Sequence, residues 1–372
     1  MKLNIAVLSG DGIGPEVTSQ AKKVLDAVAF KYNHTFIYKE ALVGAIAIEK
    51  AGTPLPEETL DICYDTDAVL FGAIGDPKYD NNPSAKVRPE QGLLNLRKSL
   101  GLFTNIRPVK AYDDLLDKSP LKKEIIKGTD FTIYRELTGG IYFGTKKLSA
   151  DGKIASDLCE YSTFEIERIA HLAFKAAKNR RKKLTLVDKA NVLESSRLWR
   201  KVVSEIAEQY PEVDLDFLFV DNAAMQIILN PSQFDVILTE NMFGDIISDE
   251  GSVIGGSIGL LASASIGDKH ALFEPIHGSY PQAKGKGIAN PIASILSAAM
   301  LLEHFDLEDE ADAIRTGVEK SLRLKISTPD INPDFDNITT EKVGDFIADY
   351  INHPEDSNLN FKNIHIGQST II

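Results

Sequence analysis

The run Leu3-Asn-Ile-Ala-Val-Leu8, followed by Ser9 and then Gly10-Asp-Gly-Ile-Gly14-Pro15, decides the fold of this 372-residue chain. The apolar stretch reads as a buried strand, the glycines as a tight turn, and the proline as the first residue of a helix, where its missing N–H costs nothing. Beyond it Val17, Ala21, Val24, Leu25 and Val28 recur at helical spacing. The same order of strand, turn and helix returns along the chain. Asp67–Gly72, Phe131–Tyr134, Lys183–Val187, Asp216–Val220 and Asp235–Leu238 read as further strands, with Gly-, Asn- or Asp-containing segments and helical patterns after them. Such alternation predicts an α/β layered fold. In these sheets ligands collect beyond the carboxyl ends of the strands.

Two segments break the rhythm. Gly75 to Gln91 is polar and too long for a simple connection, which marks it as functional. Arg135-Glu-Leu-Thr-Gly-Gly-Ile-Tyr142-Phe sets a Thr-Gly-Gly turn between short β-like runs, and Lys146 to Tyr161 reads as a protruding hairpin arm. The polar tail beyond His353 is expected to be loosely ordered.

Composition narrows the function classes. A chain of this length exceeds one ordinary core, so two lobes are expected. With 41 basic and 54 acidic side chains the net charge is −13, which argues against a nucleic-acid partner. An anionic substrate must then be held by a local group of arginines. No apolar run approaches the roughly 20 residues that span a bilayer, and Met1-Lys-Leu-Asn4 leads straight into a strand instead of a signal peptide. Two cysteines, Cys63 and Cys159, form no disulfide framework and suit a cytoplasmic setting.

Several residues have the chemistry of a site. In Phe243-Gly-Asp245-Ile-Ile-Ser-Asp249 a helix would put both aspartates on one face, at i and i+4. Like charges there cost about 0.2–0.5 kcal/mol, and a divalent cation reverses that sign. As hard oxygen ligands they suit Mg²⁺ or Mn²⁺. A solvated helix face is the alternative for this pair, and a helix N-cap the alternative for Asp221, the possible third carboxylate after Leu215–Val220. Arg97, Arg107 and Arg135 stand in apolar contexts and, if they converge, suit a di- or tricarboxylate; singly they are ordinary salt-bridge residues. Lys189 and Tyr142 follow a strand and a turn and have the chemistry of a base and an acid.

Two stretches point toward a nucleotide. Gly10–Gly14 has the spacing G-x-G-x-G-P, which is not the Rossmann fingerprint. Glu274-Pro-Ile-His277-Gly278-Ser279-Tyr-Pro-Gln282, continuing through Ala289-Asn290, is a Gly-rich loop before a helix at Ile292–Leu302 that can offer N–H groups to a phosphate.

Taken in order, Ser9–Glu16, Arg88–Arg97, Arg135–Gly144, Val187–Leu193, Phe243–Asp249 and the Glu274–Asn290 loop resemble the isocitrate/isopropylmalate dehydrogenase family over nearly the whole chain. The resemblance implies a two-lobed α/β/α fold around a large mixed sheet, with its own nucleotide site and no Rossmann domain. It implies one lobe from residues 1–102 and 256–372, and a second from 103–255 that carries the metal and substrate ligands and the dimer contact. It further implies an NAD-dependent oxidative decarboxylation of a 2-hydroxy acid by a homodimer, with one Mg²⁺ or Mn²⁺ per subunit on Asp221, Asp245 and Asp249. Arg97, Arg107 and Arg135 would clamp carboxylates, Lys189 would take the hydroxyl proton, and Tyr142 would return one to carbon. Lys189 and Asp221 would come from the partner subunit. Ile13, Gly75, Asp76, Arg88, Glu274, His277, Gly278, Ser279, Gln282, Ala289 and Asn290 would hold NAD.

Glu90, Leu93 and Leu94 before Arg97, with Val192 after Lys189, would face the substrate branch. The apolar character of Leu93, Leu94 and Val192 favours 3-isopropylmalate, and so leucine biosynthesis, over isocitrate, whose third carboxylate would go unpaired. D-malate, tartrate and homoisocitrate are the other acids of the family, and a silent regulatory subunit is the reading from another class. Gln282 stands where NAD-preferring members of the family carry an aspartate on the ribose. NAD remains the expected cofactor, with a preference that Gln282 relaxes.

Overall fold

In a computed structural model, residues 1–80, 87–333 and 338–354 are described. The stretch 81–86 inside the expected Gly75–Arg88 loop, and the tail beyond 354, lie outside them. The strands are β1 (Lys2–Gly10), β2 (Thr35–Glu40), β3 (Ala68–Ala73), β4 (Leu102–Lys110), β5 (Asp130–Glu136), β6 (Lys146–Leu148), β7 (Ala155–Asp157), β8 (Lys183–Asp188), β9 (Asp214–Phe219), β10 (Val236–Thr239), β11 (Ala262–Gly267) and β12 (Ala271–Pro275). The helices of the first half are α1 (Gly14–Tyr32), α2 (Ala45–Ala51), α3 (Glu57–Tyr64), α4 (Pro77–Asp80), α5 (Glu90–Ser99), α6 (Lys123–Ile126) and α7 (Thr163–Asn179). Those of the second are α8 (Glu194–Ala207), α9 (Val220–Leu229), α10 (Asn241–Ser252), α11 (Ile292–His304), α12 (Glu308–Arg323) and α13 (Thr340–Asn352).

The chain divides into two units. The first joins Met1–Leu96 to the chain from Leu272 onward, and the second is Arg97–Ala271. In the first unit β1 pairs in parallel with β2 and with β3, and β3 with β12. Pro15 stands in the first turn of α1 as the sequence requires, and Val17, Ala21, Val24, Leu25 and Val28 are all fully buried. Helix α11 is buried on every side from Ile292 to Leu302, as its unbroken apolar sequence demands. It packs with α1 on β3, and α12 and α13 pack against that pair.

The second unit holds a mixed sheet in the order β11-β4-β5-β10-β8-β9. β4 runs antiparallel to β11 and β5, while β5, β10, β8 and β9 are parallel. Strand periodicity sends alternate side chains to opposite faces, and here the two faces meet different helices. Tyr134, Leu184, Leu186, Val236 and Leu238 join a core with α7 and α8. Their neighbours Phe131, Ile133, Val187 and Ile237 join another with α9 and α10. Burial on both faces explains the unbroken apolar runs of these strands. β5 extends past the expected Tyr134 to Glu136, so Arg135 lies within the strand and not beyond it. The hairpin arm is present as β6 and β7, paired Lys146 to Asp157, with all six strand residues exposed.

Candidate active site

Helix α10 is built to present carboxylates. Glu240 caps its start, accepting from the Phe243 N–H at 2.8 Å and from the Tyr161 hydroxyl at 3.0 Å. Burial pushes this carboxyl up, and those two donors work against the shift. Asp245 and Asp249 follow at i and i+4, and each meets an arginine from the adjoining antiparallel strands. Arg135 pairs with Asp245, and Arg107 Nη1 reaches Asp249 at 2.7 Å and Ser248 Oγ at 2.9 Å. Two of the three predicted arginines therefore converge on both helix carboxylates. Arg97, at the end of α5, lies near enough with Arg107 to weaken proton binding at Arg135, although burial is the larger cause of that lowering.

The Arg135 stem crosses α10 at Gly244, where a Cβ would sit 2.6 Å from Arg135 Cγ. That is the local reason for glycine in Phe-Gly-Asp. Its guanidinium is steered by Asn241, whose Oδ1 accepts from Nη2 at 2.9 Å and from Nε at 3.2 Å.

Tyr142 ends a single 3₁₀ turn, Gly140–Tyr142, and donates to Asp245 Oδ2 at 2.9 Å. Burial, then the hydrogen bond to Asp245, raises the phenol above its ordinary value, so it holds its proton at neutral pH. The turn that delivers it is anchored by Glu136, which is fully buried and accepts from Thr138 N at 2.8 Å, Thr138 Oγ1 at 2.5 Å and Gly139 N at 2.7 Å. Gly140 has φ +72°, and a Cβ there would lie 2.3 Å from the Tyr161 hydroxyl oxygen. The turn needs glycine for both reasons. Arg168, stacked between the rings of Phe103 and Phe164, binds Thr138 and closes this bracket.

Lys189 and Asp221 form a second group. Lys189 follows β8, and its loop is held by the buried Asp188, which takes Arg200 Nε at 2.8 Å and Ala190 N at 3.0 Å. Asp221 stands in the first turn of α9 and not at its cap, which is Phe219. The two pair directly, and the Lys189 ammonium holds the Asp221 carboxyl below its usual range. Val192, on the loop after Lys189, is exposed. Among the described residues no three acidic, His or Cys side chains of one chain gather to hold a metal ion. One chain thus brings Asp245 and Asp249 together and leaves Asp221 with Lys189.

The first unit brings together the loops assigned to NAD. The buried Asp11 accepts from the N–H groups of Ala45, Ile46 and Gly75 at 2.8, 2.9 and 3.0 Å. The Ile13 N–H donates to the Ser279 carbonyl at 2.8 Å, and a Cβ on Gly12 would meet that oxygen at 2.0 Å. A Cβ on Gly75 would lie 3.2 Å from Ser279 Oγ and 3.4 Å from Glu90 Oε1, so three predicted residues share one place. Glu16 binds the Gly285 N–H at 2.5 Å and the Gly287 N–H at 3.2 Å, fixing the Gly-rich loop.

His277 Nδ1 lies 3.0 Å from the Gly278 carbonyl, which can only accept. Burial lowers the imidazole below 6.5, so it is neutral, and Nε2 is an acceptor that is buried with no partner. A ligand there must bring a donor, such as a ribose hydroxyl. Asn290 is committed to Asp330 at 3.1 Å and the Ile292 N–H at 3.0 Å, and the Ala289 carbonyl to Thr340. Glu274 is buried, Asp76 accepts from the Lys78 N–H, and Arg88, Gly278 and Gln282 are exposed. On α5, Leu93 is half-buried and Leu94 exposed.

Sequence reasoning missed Asn105, Glu136, Asn241 and Glu16. The signal was there for two of them: Asn105 is two residues before Arg107 on a strand, and Asn241 four before Asp245 on a helix, so each shares its partner's face.

Known proteins bear on this geometry. A family model described as isocitrate/isopropylmalate dehydrogenase matches residues 4–347. A Bacteroides fragilis protein described as 3-isopropylmalate dehydrogenase is 56% identical over 352 residues, covering 94% of this chain and 99% of that one. A Wolinella succinogenes protein of the same description is 54% identical, with 94% and 98% covered. Among solved structures, an isocitrate dehydrogenase from Methylococcus capsulatus matches with TM-score 0.82 at 33% identity, covering 94% of this chain and 99% of that one. A beta-decarboxylating dehydrogenase from Thermococcus kodakarensis matches with TM-score 0.80 at 36% identity, with 95% and 98% covered.

Proposed function

Because the chain belongs to the isocitrate/isopropylmalate dehydrogenase family, we propose that it oxidises and decarboxylates (2R,3S)-3-isopropylmalate to 4-methyl-2-oxopentanoate and CO₂, a step of leucine biosynthesis. The observation that carries the proposal is the interleaving of Arg107 and Arg135 with Asp249, Asp245 and Tyr142 around one face of α10. Positive groups for two carboxylates, oxygen ligands for a hard cation and a phenol with its proton are what this reaction requires.

The donor set fits a divalent cation: Asp245 and Asp249 are carboxylates on one helix face, and Asp221 is a third. Their ordinary partners in this structure are arginines and a lysine, which a cation and an acid substrate would replace. The buried, partnerless Nε2 of His277 fits the donor groups of NAD. NAD held beside His277 would supply the hydride acceptor, and Mg²⁺ or Mn²⁺ held by Asp221, Asp245 and Asp249 would supply Lewis acidity.

The chain's own residues supply the rest. Arg97, Arg107 and Arg135 grip the substrate carboxylates and set their orientation. Lys189 takes the hydroxyl proton as C2 becomes a ketone. That ketone is the electron sink for loss of the 3-carboxylate, and Tyr142 returns a proton to C3. Leu93, Leu94 and Val192 offer apolar surface to the isopropyl branch, and none could pair the third carboxylate of isocitrate.

Since Asp221 and Lys189 pair with each other within one chain, we assign them to the site of a second copy, which makes the active form a homodimer. Support would be NADH formation from 3-isopropylmalate that needs Mn²⁺ and exceeds that from isocitrate, D-malate and tartrate in kcat/KM. No turnover with metal and NAD present would overturn the activity. Mixing inactive Lys189→Ala and Asp245→Asn chains tests the shared site: activity should partly return, and its absence after verified subunit exchange counts against sharing.

A further inference from the structure

Arg107 and Arg135 share a feature that no carboxylate-binding role explains. Each gives its Nε–H to a buried asparagine: Arg107 to Asn105 Oδ1 at 2.9 Å, and Arg135 to Asn241 Oδ1 at 3.2 Å. Both asparagines are 1% exposed. The amide orientations are fixed chemically, because a guanidinium has five donors and no acceptor. Each amide must turn its oxygen to the arginine and its nitrogen elsewhere. Asn241 Nδ2 faces the Gly139 carbonyl at 3.3 Å, and Asn105 Nδ2 faces Ser263 Oγ at 2.8 Å and the Ala264 carbonyl at 3.2 Å. The two sites are linked through the sheet, since Asn105 and Arg135 stand directly opposite in the β4–β5 register.

We propose that Asn105 and Asn241 are positioning residues that aim the two guanidinium groups without themselves cancelling their charge. Buried arginines are normally held by carboxylates, which orient and neutralise together. A neutral amide separates the two effects: it occupies the Nε edge and leaves Nη1 to charged partners. Arg107 Nη1 and Arg135 Nη1 are the atoms on Asp249 and Asp245. When a cation takes those aspartates, each arginine turns an aimed, uncancelled charge to a substrate carboxylate. This inference rests on the proposed substrate only through that last step.

The discriminating change is Asn241→Asp, which keeps the size and the oxygen that accepts from Arg135, adds one negative charge and gives up the donor to the Gly139 carbonyl. The helix tolerates it, because an acid in the first turn of α10 is favoured by the dipole. A charge set roughly 7 Å from a bound carboxylate weakens its binding about tenfold or more at the effective dielectric of a partly buried site. We expect KM for 3-isopropylmalate to rise by that factor with a much smaller change in kcat, and the thermal midpoint to fall by only a few degrees through the lost bond to Gly139. Calorimetry with Mg²⁺ and D-malate, the bare dicarboxylate, reads the same loss as a Kd without turnover. Asn105→Asp should act likewise through Arg107. If both aspartate variants are folded and bind D-malate and 3-isopropylmalate within twofold of wild type, the inference falls. If wild type does not turn over 3-isopropylmalate, the proposed substrate falls while the D-malate Kd ratio still decides this inference. If Asn241→Asp fails to fold, Asn105→Asp decides it.

Discussion

Adding one methyl group at Gly244 should silence the enzyme without unfolding it. In Gly244→Ala the new Cβ would lie 2.6 Å from Arg135 Cγ, 2.8 Å from Arg135 Cβ and 3.0 Å from Thr239 Cγ2. Carbon contacts that short do not persist, and the stem of Arg135 is the part that cannot yield cheaply, because its far end is tied to Asn241 and Asp245. Overpacking of this kind costs about 1–3 kcal/mol. Alanine in place of glycine inside a helix returns about 1 kcal/mol. The net loss of stability is thus about 0–2 kcal/mol, or a fall of a few degrees in the thermal midpoint. Activity should suffer more. Shifting the guanidinium forfeits charge-assisted hydrogen bonds of about 1.5–3 kcal/mol each, and misplacing a positioning group by about 1 Å can cost 10²-fold.

Gly251→Ala is the control in the same helix. Its Cβ would find Val109 Cγ2 at 3.4 Å and Phe131 Cζ at 3.5 Å, which is ordinary contact. It should be neutral or slightly stabilising, with full turnover. Steady-state kinetics and thermal unfolding of both variants decide the matter. A folded Gly244→Ala protein within twofold of wild-type kcat/KM would refute the account of Arg135.

Tyr142→Phe removes the donor for C3 and should lower kcat by about 10²–10⁴, while Kd for 3-isopropylmalate, measured without turnover, changes little. Glu136→Ala strands the N–H groups of Thr138 and Gly139, each worth about 1–3 kcal/mol when left unpaired; denaturant midpoints should fall accordingly, and turnover with them, since the turn carries Tyr142. Stability should also depend on pH through two histidines packed against the protein interior. Burial lowers both His277 and His304 below 6.5 in the folded chain, so the unfolded chain protonates first. Their contribution is complete above pH 6.5 and is lost as pH falls through the window beneath it. In His304→Phe, between Phe273 and Phe305, the decline in denaturant midpoint between pH 7 and 5.5 should be shallower than in wild type.

The parts of the molecule that the sequence declares are those where one physical demand dominates. β1, β3, β5, β8 and β10 are apolar because they are covered on both faces, and α1 shows its period because one side meets the sheet. The helical spacing of Asp245 and Asp249 likewise puts both on one face of α10. What stayed hidden answers to two demands at once. β2, Thr-Phe-Ile-Tyr-Lys-Glu, ends the strand order and mixes exposed with half-buried positions, so no run stands out. β11, Ala-Ser-Ala-Ser-Ile-Gly, is made of small residues with weak strand preference, and β4 carries Arg107 and Pro108 within it. Arg135 and Glu136 look like the polar end of a strand, yet both are buried, Arg135 because Asn241 and Asp245, distant in sequence, satisfy it, and Glu136 because the N–H groups of the turn that follows it do. Spacing could propose three arginines but not their meeting, which depends on β4 and β5 running in opposite directions.

That antiparallel pairing makes the chemistry a matter of odd and even. Asn105, Arg107 and Val109 on β4, like Phe131, Ile133 and Arg135 on β5, point to the α10 side, while Ile106 and Tyr134 point to the α7 side. Inserting or deleting one residue within either strand would exchange the two sets, driving a guanidinium into the core lined by Phe174 and Trp199 and an aliphatic chain toward the aspartates. Length changes in the segment between Tyr112 and Gly128 leave that parity intact. Drift in chain length is thus confined to connections here, and a frame error of a single position in β4 or β5 would cost fold and function together.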